Sequence, residues 1–319
     1  MRLAVTTFLA LGAAASVTWL ARAQAPVESL APLPPPEKLD PRKVELGKKL
    51  FHDVRLSRDQ SISCSNCHPV GRGGVDGQRF SRGVGGTAAL NTPSVLNAAF
   101  NFRQTWSGNA PSLEDVVEAP VLSPTLMGNN WDVVVTRLRE APAYAAAFND
   151  LYGEVSAHGV KDAVAEYMRF IVPRGSRFDR FLMGETDALS PEEYQGYLHF
   201  VGYGCVSCHQ GRNVGGNMYA PLGVMGDYFK ERGEITKADL GRYNVTGRER
   251  DRHVFKVPSL RNVALTAPYF HDGSAATLDA AITIMARYQL GRGLTASEIT
   301  QIAAFLNTLT GLVPSGAVP

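Results

Sequence analysis

Cysteine is nearly absent from this chain of 319 residues: there are four. All four fall in two short motifs, which leaves none for a separate disulfide framework. A surplus of either charge is missing too, with 32 basic against 30 acidic residues. Arg2 and Arg22 lie in the first 23 residues, and without that segment the two signs balance. Nothing remains to neutralise a phosphate backbone, so nucleic-acid binding has no support. Strand-like alternation is scarce, and long apolar runs are missing beyond the N-terminus. The one such run, Leu3 to Leu20, follows Arg2 and leads into Ala21-Arg22-Ala23, a small-x-small cleavage pattern. It is read as an export signal cut after Ala23, placing the mature chain in the periplasm. The run is close to the minimum for a bilayer span, so an uncleaved inner-membrane anchor is the alternative.

What the four cysteines do is set by their neighbours. They form Cys64-Ser65-Asn66-Cys67-His68 and Cys205-Val206-Ser207-Cys208-His209. Two thiols one helical turn apart can add to the two vinyl groups of a haem, and the next histidine then faces the iron as its proximal ligand. A redox-active cysteine pair or half a zinc site needs no histidine directly after the second cysteine, and here one stands there twice. The spacing therefore predicts two covalently bound haem c groups. Four haem carboxylates would make the mature protein acidic.

Helix-start patterns recur along the chain. Asp40-Pro41 predicts a capped helix through Phe51. Ser190-Pro191-Glu192-Glu193 is a capping box ahead of the second haem motif. Thr295-Ala296-Ser297-Glu298 is another, opening a helix with the apolar face Ile299, Ile302, Ala303, Leu306 and Leu309, and Gly311 as its stop. Glycine-rich connections, Gly71–Gly77, Gly83–Gly86 and Gly211–Gly216, suit backbone lying close to a flat macrocycle. The expected fold is mainly α, with two cytochrome-c-like haem domains over residues 40–183 and 184–313. A linker over 24–39 precedes them and a tail over 314–319 follows. Apart from the haem motif the two halves are expected to share little sequence.

Further segments resemble the bacterial dihaem cytochrome c peroxidase and MauG family. They include Leu46-Gly47-Lys48-Lys49-Leu50-Phe51-His52-Asp53, Asn91-Thr92-Pro93-Ser94-Val95-Leu96-Asn97 and Trp106. In the second half they are Phe255-Lys256-Val257-Pro258-Ser259-Leu260-Arg261-Asn262, Pro268-Tyr269-Phe270-His271-Asp272-Gly273 and Gln289-Leu290-Gly291. The resemblance implies that hydrogen peroxide is reduced at the first haem, held by His68. Electrons would come from a small donor protein (a cytochrome c or a cupredoxin) or the quinol pool, through the second haem, held by His209. It implies Met285 as the methionine ligand of the second iron, with Met218 and Met225 as fallbacks, and Trp106 as the electron step between the haems. It also implies a calcium ion between the halves at Asn91, Thr266 and Pro268. Relatives are often dimers, which leaves a homodimer open. His271 is placed near the second haem as a support, His158 and His253 at the surface, and His52 near the first haem.

Several positions depart from the family pattern. Val84 stands where relatives that need reductive activation carry a capping histidine, which implies an open first iron. Leu126 and Val116 stand where peroxidases place a glutamate and a glutamine. Cleaving peroxide needs an acid–base group to protonate the leaving oxygen, and an apolar lining removes it. Glu114 and Glu118 are the substitutes close in sequence. The expected function is a peroxide-using oxidoreductase; the alternatives are a non-enzymatic electron carrier or sensor of small haem ligands, or a MauG-like oxidant of a partner protein.

Overall fold

The computed structural model describes residues 29–318, so the export signal expected over residues 1–23 lies outside the described residues. Twelve helices appear there: α1 Pro41–Phe51, α2 Cys64–Cys67, α3 Leu113–Leu122, α4 Trp131–Glu140, α5 Pro142–Tyr152, α6 Ala157–Phe170, α7 Arg177–Leu182, α8 Pro191–Gly202, α9 Tyr228–Arg232, α10 Tyr243–Thr246, α11 Leu278–Leu290 and α12 Ala296–Asn307. Strand is confined to two antiparallel pairs, β1 Arg82–Gly83 with β2 Gly86–Thr87, and β3 Tyr219–Pro221 with β4 Val254–Lys256. The fold is mainly α, as expected.

The caps read from sequence form. Asp40 accepts from the Arg42 amide ahead of Pro41, and Ser190 and Thr295 close reciprocal capping boxes with Glu193 and Glu298. The stop of α12 differs. The helix ends at Asn307, and Gly311 serves a close approach instead, since a Cβ there would come within 2.8 Å of Pro173 backbone.

Two large buried cores form, beside a small aromatic cluster of Tyr228, Phe229, Phe255 and Tyr288. The first joins α1, α3, α4 and α6 through Leu50, Leu138, Val160 and Tyr167; the second joins α7, α8, α11 and α12 through Phe178, Tyr197, Ile282 and Phe305. Core membership changes between Ile171 and Phe178, so α7 goes with the second half, one short helix before the division expected at 183/184. The expected linker and tail both dock. Leu30 is buried in the second core and bridges to Gly211. Ala317 is buried in the first, where the Tyr167 hydroxyl donates to its carbonyl at 2.6 Å. Each segment has one side chain in a core and further hydrogen bonds along its backbone, and its lack of periodicity hid this.

The halves share little sequence beyond the haem motif, as expected, yet they repeat one backbone frame. Asn97 and Asn262 are 165 residues apart, and this offset maps Pro93-Ser94 onto Pro258-Ser259. Ser94 and Ser259 each accept from the amide two residues on at 3.1 Å. Both asparagines take left-handed backbone and open a 3₁₀ turn. The pairings Gln104–Ala110 and Tyr269–Ala275 match, as do the capped helices α3 and α11. The helix preceding each haem motif crosses the last helix of its half at a glycine. A Cβ on Gly47 would lie 1.8 Å from the Ala163 carbonyl oxygen, and one on Gly196 equally close to that of Gln301.

Candidate functional site

Both haem motifs fold into tight turns in which the histidine amide donates to the carbonyl of the first cysteine, at 2.9 Å for His68 and 3.0 Å for His209. One turn separates the two thiols of each motif, and the imidazole follows directly. Burial pushes the Cys64 thiol up to about 12 and the Cys205 thiol up to about 11. A redox-active pair needs the opposite, a site that favours thiolate. His68 Nδ1 lies 3.0 Å from the Gly74 carbonyl, which can only accept, so the ring donates there and keeps Nε2 as a lone-pair donor. His209 Nδ1 is buried beside Gly215, close to the Pro258 carbonyl. Burial holds His209 down to about 4 and also lowers His68, so both rings are neutral, as iron ligands must be.

The two halves meet through reciprocal bonds. Asn91 N donates to the His271 carbonyl, and its counterpart Lys256 N donates to the carbonyl of Trp106, both at 2.8 Å. Trp106 and His271 are themselves counterparts, with ring centroids 6.4 Å apart, edge to face. Arg79 Nε reaches the Asp272 carbonyl at 2.9 Å, and Arg242 reaches that of Ser107 at 3.3 Å. On the local two-fold axis Asn262 Nδ2 donates to Asn97 Oδ1 at 2.7 Å, both buried. Trp106 therefore sits where the halves join, its indole N–H donating to the Asn91 carbonyl at 2.8 Å.

Asn91 donates its amide nitrogen to the carbonyls of Gln78 and Arg79, which leaves Oδ1 for a cation. Thr266 and Pro268 lie on the loop that meets the same segment: Gly77 is near the Ala267 carbonyl, and Pro268 and Arg79 both border Gly273. Met285 is half-buried on α11. Met218 sits beside the second motif, where its sulfur faces Gln210 at 3.9 Å. Met225 is 62% exposed on a surface pocket at the end of α11, a poor place for an iron ligand.

Two of the departures from the family pattern, Val84 and Leu126, come together. Val84, at the tip of the β1–β2 hairpin, donates its amide to the Leu126 carbonyl at 2.7 Å. The hairpin lies so close that a Cβ on Gly83 would come within 2.1 Å of the Thr125 oxygen. Val116 packs against the first core. The substitutes are tied up on α6: Glu114 pairs with Arg169, and Glu118 with Lys161 at 2.7 Å. Burial raises Glu114, but the Arg169 guanidinium outweighs it and keeps the carboxyl ionised. His52 caps α1, its Nδ1 2.9 Å from the Lys48 carbonyl.

Sequence reasoning missed a buried network behind Trp106. His271 Nε2 lies 2.7 Å from Asp239 Oδ1, and Arg232 bridges Asp239 and Asp272. Asp239, His271 and Asp272 could hold a metal ion, but the Arg232 guanidinium already supplies the cation. Burial raises Asp239, yet its bonds from Arg232 and Thr236 hold it well below the usual carboxylate range. His253, expected at the surface, stacks on Phe229 at 4.1 Å and bonds the Asp239 carbonyl. His158 is exposed, as expected. Only the 165-residue offset could have pointed to this junction.

A family model described as di-haem cytochrome c peroxidase matches residues 41–187. Cytochrome c551 peroxidase of Nitrosomonas europaea is 39% identical over 319 residues, covering 98% of this chain and 92% of that protein. The chain belongs to the dihaem cytochrome c peroxidase family. Cytochrome c peroxidase Ccp of Escherichia coli is 43% identical over 288 residues, which is 89% of this chain. The chain spans 62% of the length of that relative. A solved MauG-like protein associated with microbial copper homeostasis superposes with a TM-score of 0.78 at 28% identity, covering 94% of this chain and 98% of that one. Membership makes the protein a peroxidase-like oxidoreductase and implies two haem c groups. The residues fit them: two buried cysteine turns, two neutral histidines and, at Gly215, backbone close against His209 where a Cβ would strike the Pro258 carbonyl at 2.2 Å. Among the described residues no helix is long and apolar enough to cross a membrane.

Proposed function

We propose that the protein is a periplasmic enzyme that reduces hydrogen peroxide in its first half with electrons delivered to its second half by a small donor protein. His68 and His209 serve as proximal ligands, with Cys64, Cys67, Cys205 and Cys208 as the covalent tethers. Met285 is the second ligand in the C-terminal half, and Asn91, Thr266 and Pro268 take a calcium ion, whose preference for oxygen suits them. Bound haem supplies one-electron storage in one half and peroxide reduction in the other.

The observation that carries this reading is an asymmetry inside a repeated frame. By the 165-residue offset, Met285 of α11 is the counterpart of Pro120 of α3. A thioether can ligate iron and hold an electron store at high potential; a proline side chain offers no donor atom. Val84 offers none either. One half is built to keep both ligands, the other to leave a side open. Trp106, bonded to Asn91 on one side and Lys256 on the other, is rigidly held between them.

The test is peroxide-dependent oxidation of a reduced small cytochrome c or cupredoxin, with two haems per chain confirmed first. Turnover well above that of free haem supports the reading. Turnover no faster than free haem overturns it in favour of the second reading, an electron carrier or sensor of small haem ligands. The apolar side chains at Val84 and Leu126, whose backbones are bonded together, favour that second reading, because Glu114 and Glu118 are paired on α6 and so are not free to serve peroxide.

A further inference from the structure

One charged group at the junction has no partner. Lys256 ends β4 and is 7% exposed as a residue, and burial alone pushes its ammonium down to about 8. Among the described residues no carboxylate or carbonyl lies within bonding distance of it. Asp239 and Asp272, the buried acids of the network behind Trp106, are held by Arg232. The ammonium keeps a little contact with solvent but is largely shielded, so the chain alone leaves its charge unmatched at this point.

Two observations say what completes it. The Lys256 amide is bonded to the Trp106 carbonyl, which fixes the residue at the junction between the two haem-binding halves. Its counterpart across the local two-fold is Asn91, which uses the same backbone bond to His271 and turns an oxygen, not a cation, toward its surroundings. The frame thus has a neutral oxygen ligand in one half and a fixed positive charge in the other. Each haem brings two carboxylates, the only anions the holoprotein adds.

We propose that Lys256 is the counter-charge of a haem carboxylate at this junction and that it raises the reduction potential of that haem. Lys256 is a positioning residue, acting on the electron store through its charge. This rests on the dihaem reading and not on peroxide turnover.

The experiment is a potentiometric titration of both haems, followed optically, in the holoprotein at fixed calcium concentration. Lys256→Gln and Lys256→Met are compared with wild type, and Lys256→Arg serves as the charge-preserving control. Haem content and circular dichroism establish that each variant is loaded and folded. The neutral variants are expected to lower one midpoint by a tenfold change in the reduction equilibrium, 59 mV for one electron, while Lys256→Arg stays near wild type. Unchanged midpoints in a folded, fully loaded Lys256→Gln protein overturn the proposal. An equal shift in Lys256→Arg overturns it too, because packing and not charge would then be the cause. Should Lys256→Met not fold, Lys256→Gln carries the test. A protein that binds two haems but fails to turn over peroxide leaves this measurement intact.

Discussion

At the scale of single residues, the proposed reading makes two positions decisive for peroxide use. Leu126 and Val84 are joined backbone to backbone, so a carboxylate introduced at 126 would project from a segment already fixed against the hairpin. Leu126→Glu is expected to raise peroxide turnover by roughly 10²–10⁴-fold, the usual worth of a placed acid–base group. Steady-state donor oxidation measures this; brisk wild-type turnover with no gain in the variant would show that another group moves the proton. Glu114 and Glu118 would have to leave Arg169 and Lys161 to do so. Met285→His is expected to lower the second haem's potential and remove its near-infrared methionine band, since imidazole stabilises ferric iron more than a thioether does. A band that persists would move the ligand to Met218, which already lies beside the second motif.

At the scale of elements, the haem turns and helix starts were legible because each is local. Asp40, Ser190 and Thr295 cap the helices their sequences announce. The repeated frame was not legible, because equivalent positions share backbone geometry more than side chains. Trp106 matches His271 and Asn91 matches Lys256, pairs that look unrelated until the reciprocal bonds are seen. Gly311 misled for a similar reason, since a glycine needed for a distant contact looks like a helix stop. Gly47 and Gly196 show the strength of the repeat. A methyl group at either would strike a carbonyl of the opposing helix, so Gly47→Ala and Gly196→Ala are each expected to destabilise the protein by about 1–3 kcal/mol. Thermal melts check this, and an unchanged melting temperature in either variant would mean that the helix crossing is looser than described.

For the whole molecule, the halves are tied at the junction and again by the chain ends. The C-terminal segment returns from the second half to the first, where Lys48 donates to the carbonyls of Gly316 and Val318 and Tyr167 to that of Ala317. Removing residues 314–319 would leave the buried Tyr167 hydroxyl without its acceptor and is expected to cost about 1–3 kcal/mol, read from denaturant unfolding. Stability equal to that of the full chain would make the segment an ornament. The Asp239–Arg232–Asp272 network, Lys256 and the two docked ends were invisible in sequence because burial of a polar group is a property of the assembled chain. The cysteines and histidines that hold haem needed no such context.

The central claim is that electrons held in the second half cross by way of Trp106 to peroxide in the first. The most direct measurement mixes the half-reduced protein, its second haem ferrous, with peroxide and follows that haem's absorbance in a stopped-flow instrument. Prompt reoxidation in wild type, markedly slowed in a Trp106→Leu variant that keeps both haems, is the expected result. A second haem that stays reduced in the presence of peroxide would contradict the account and make this protein a carrier.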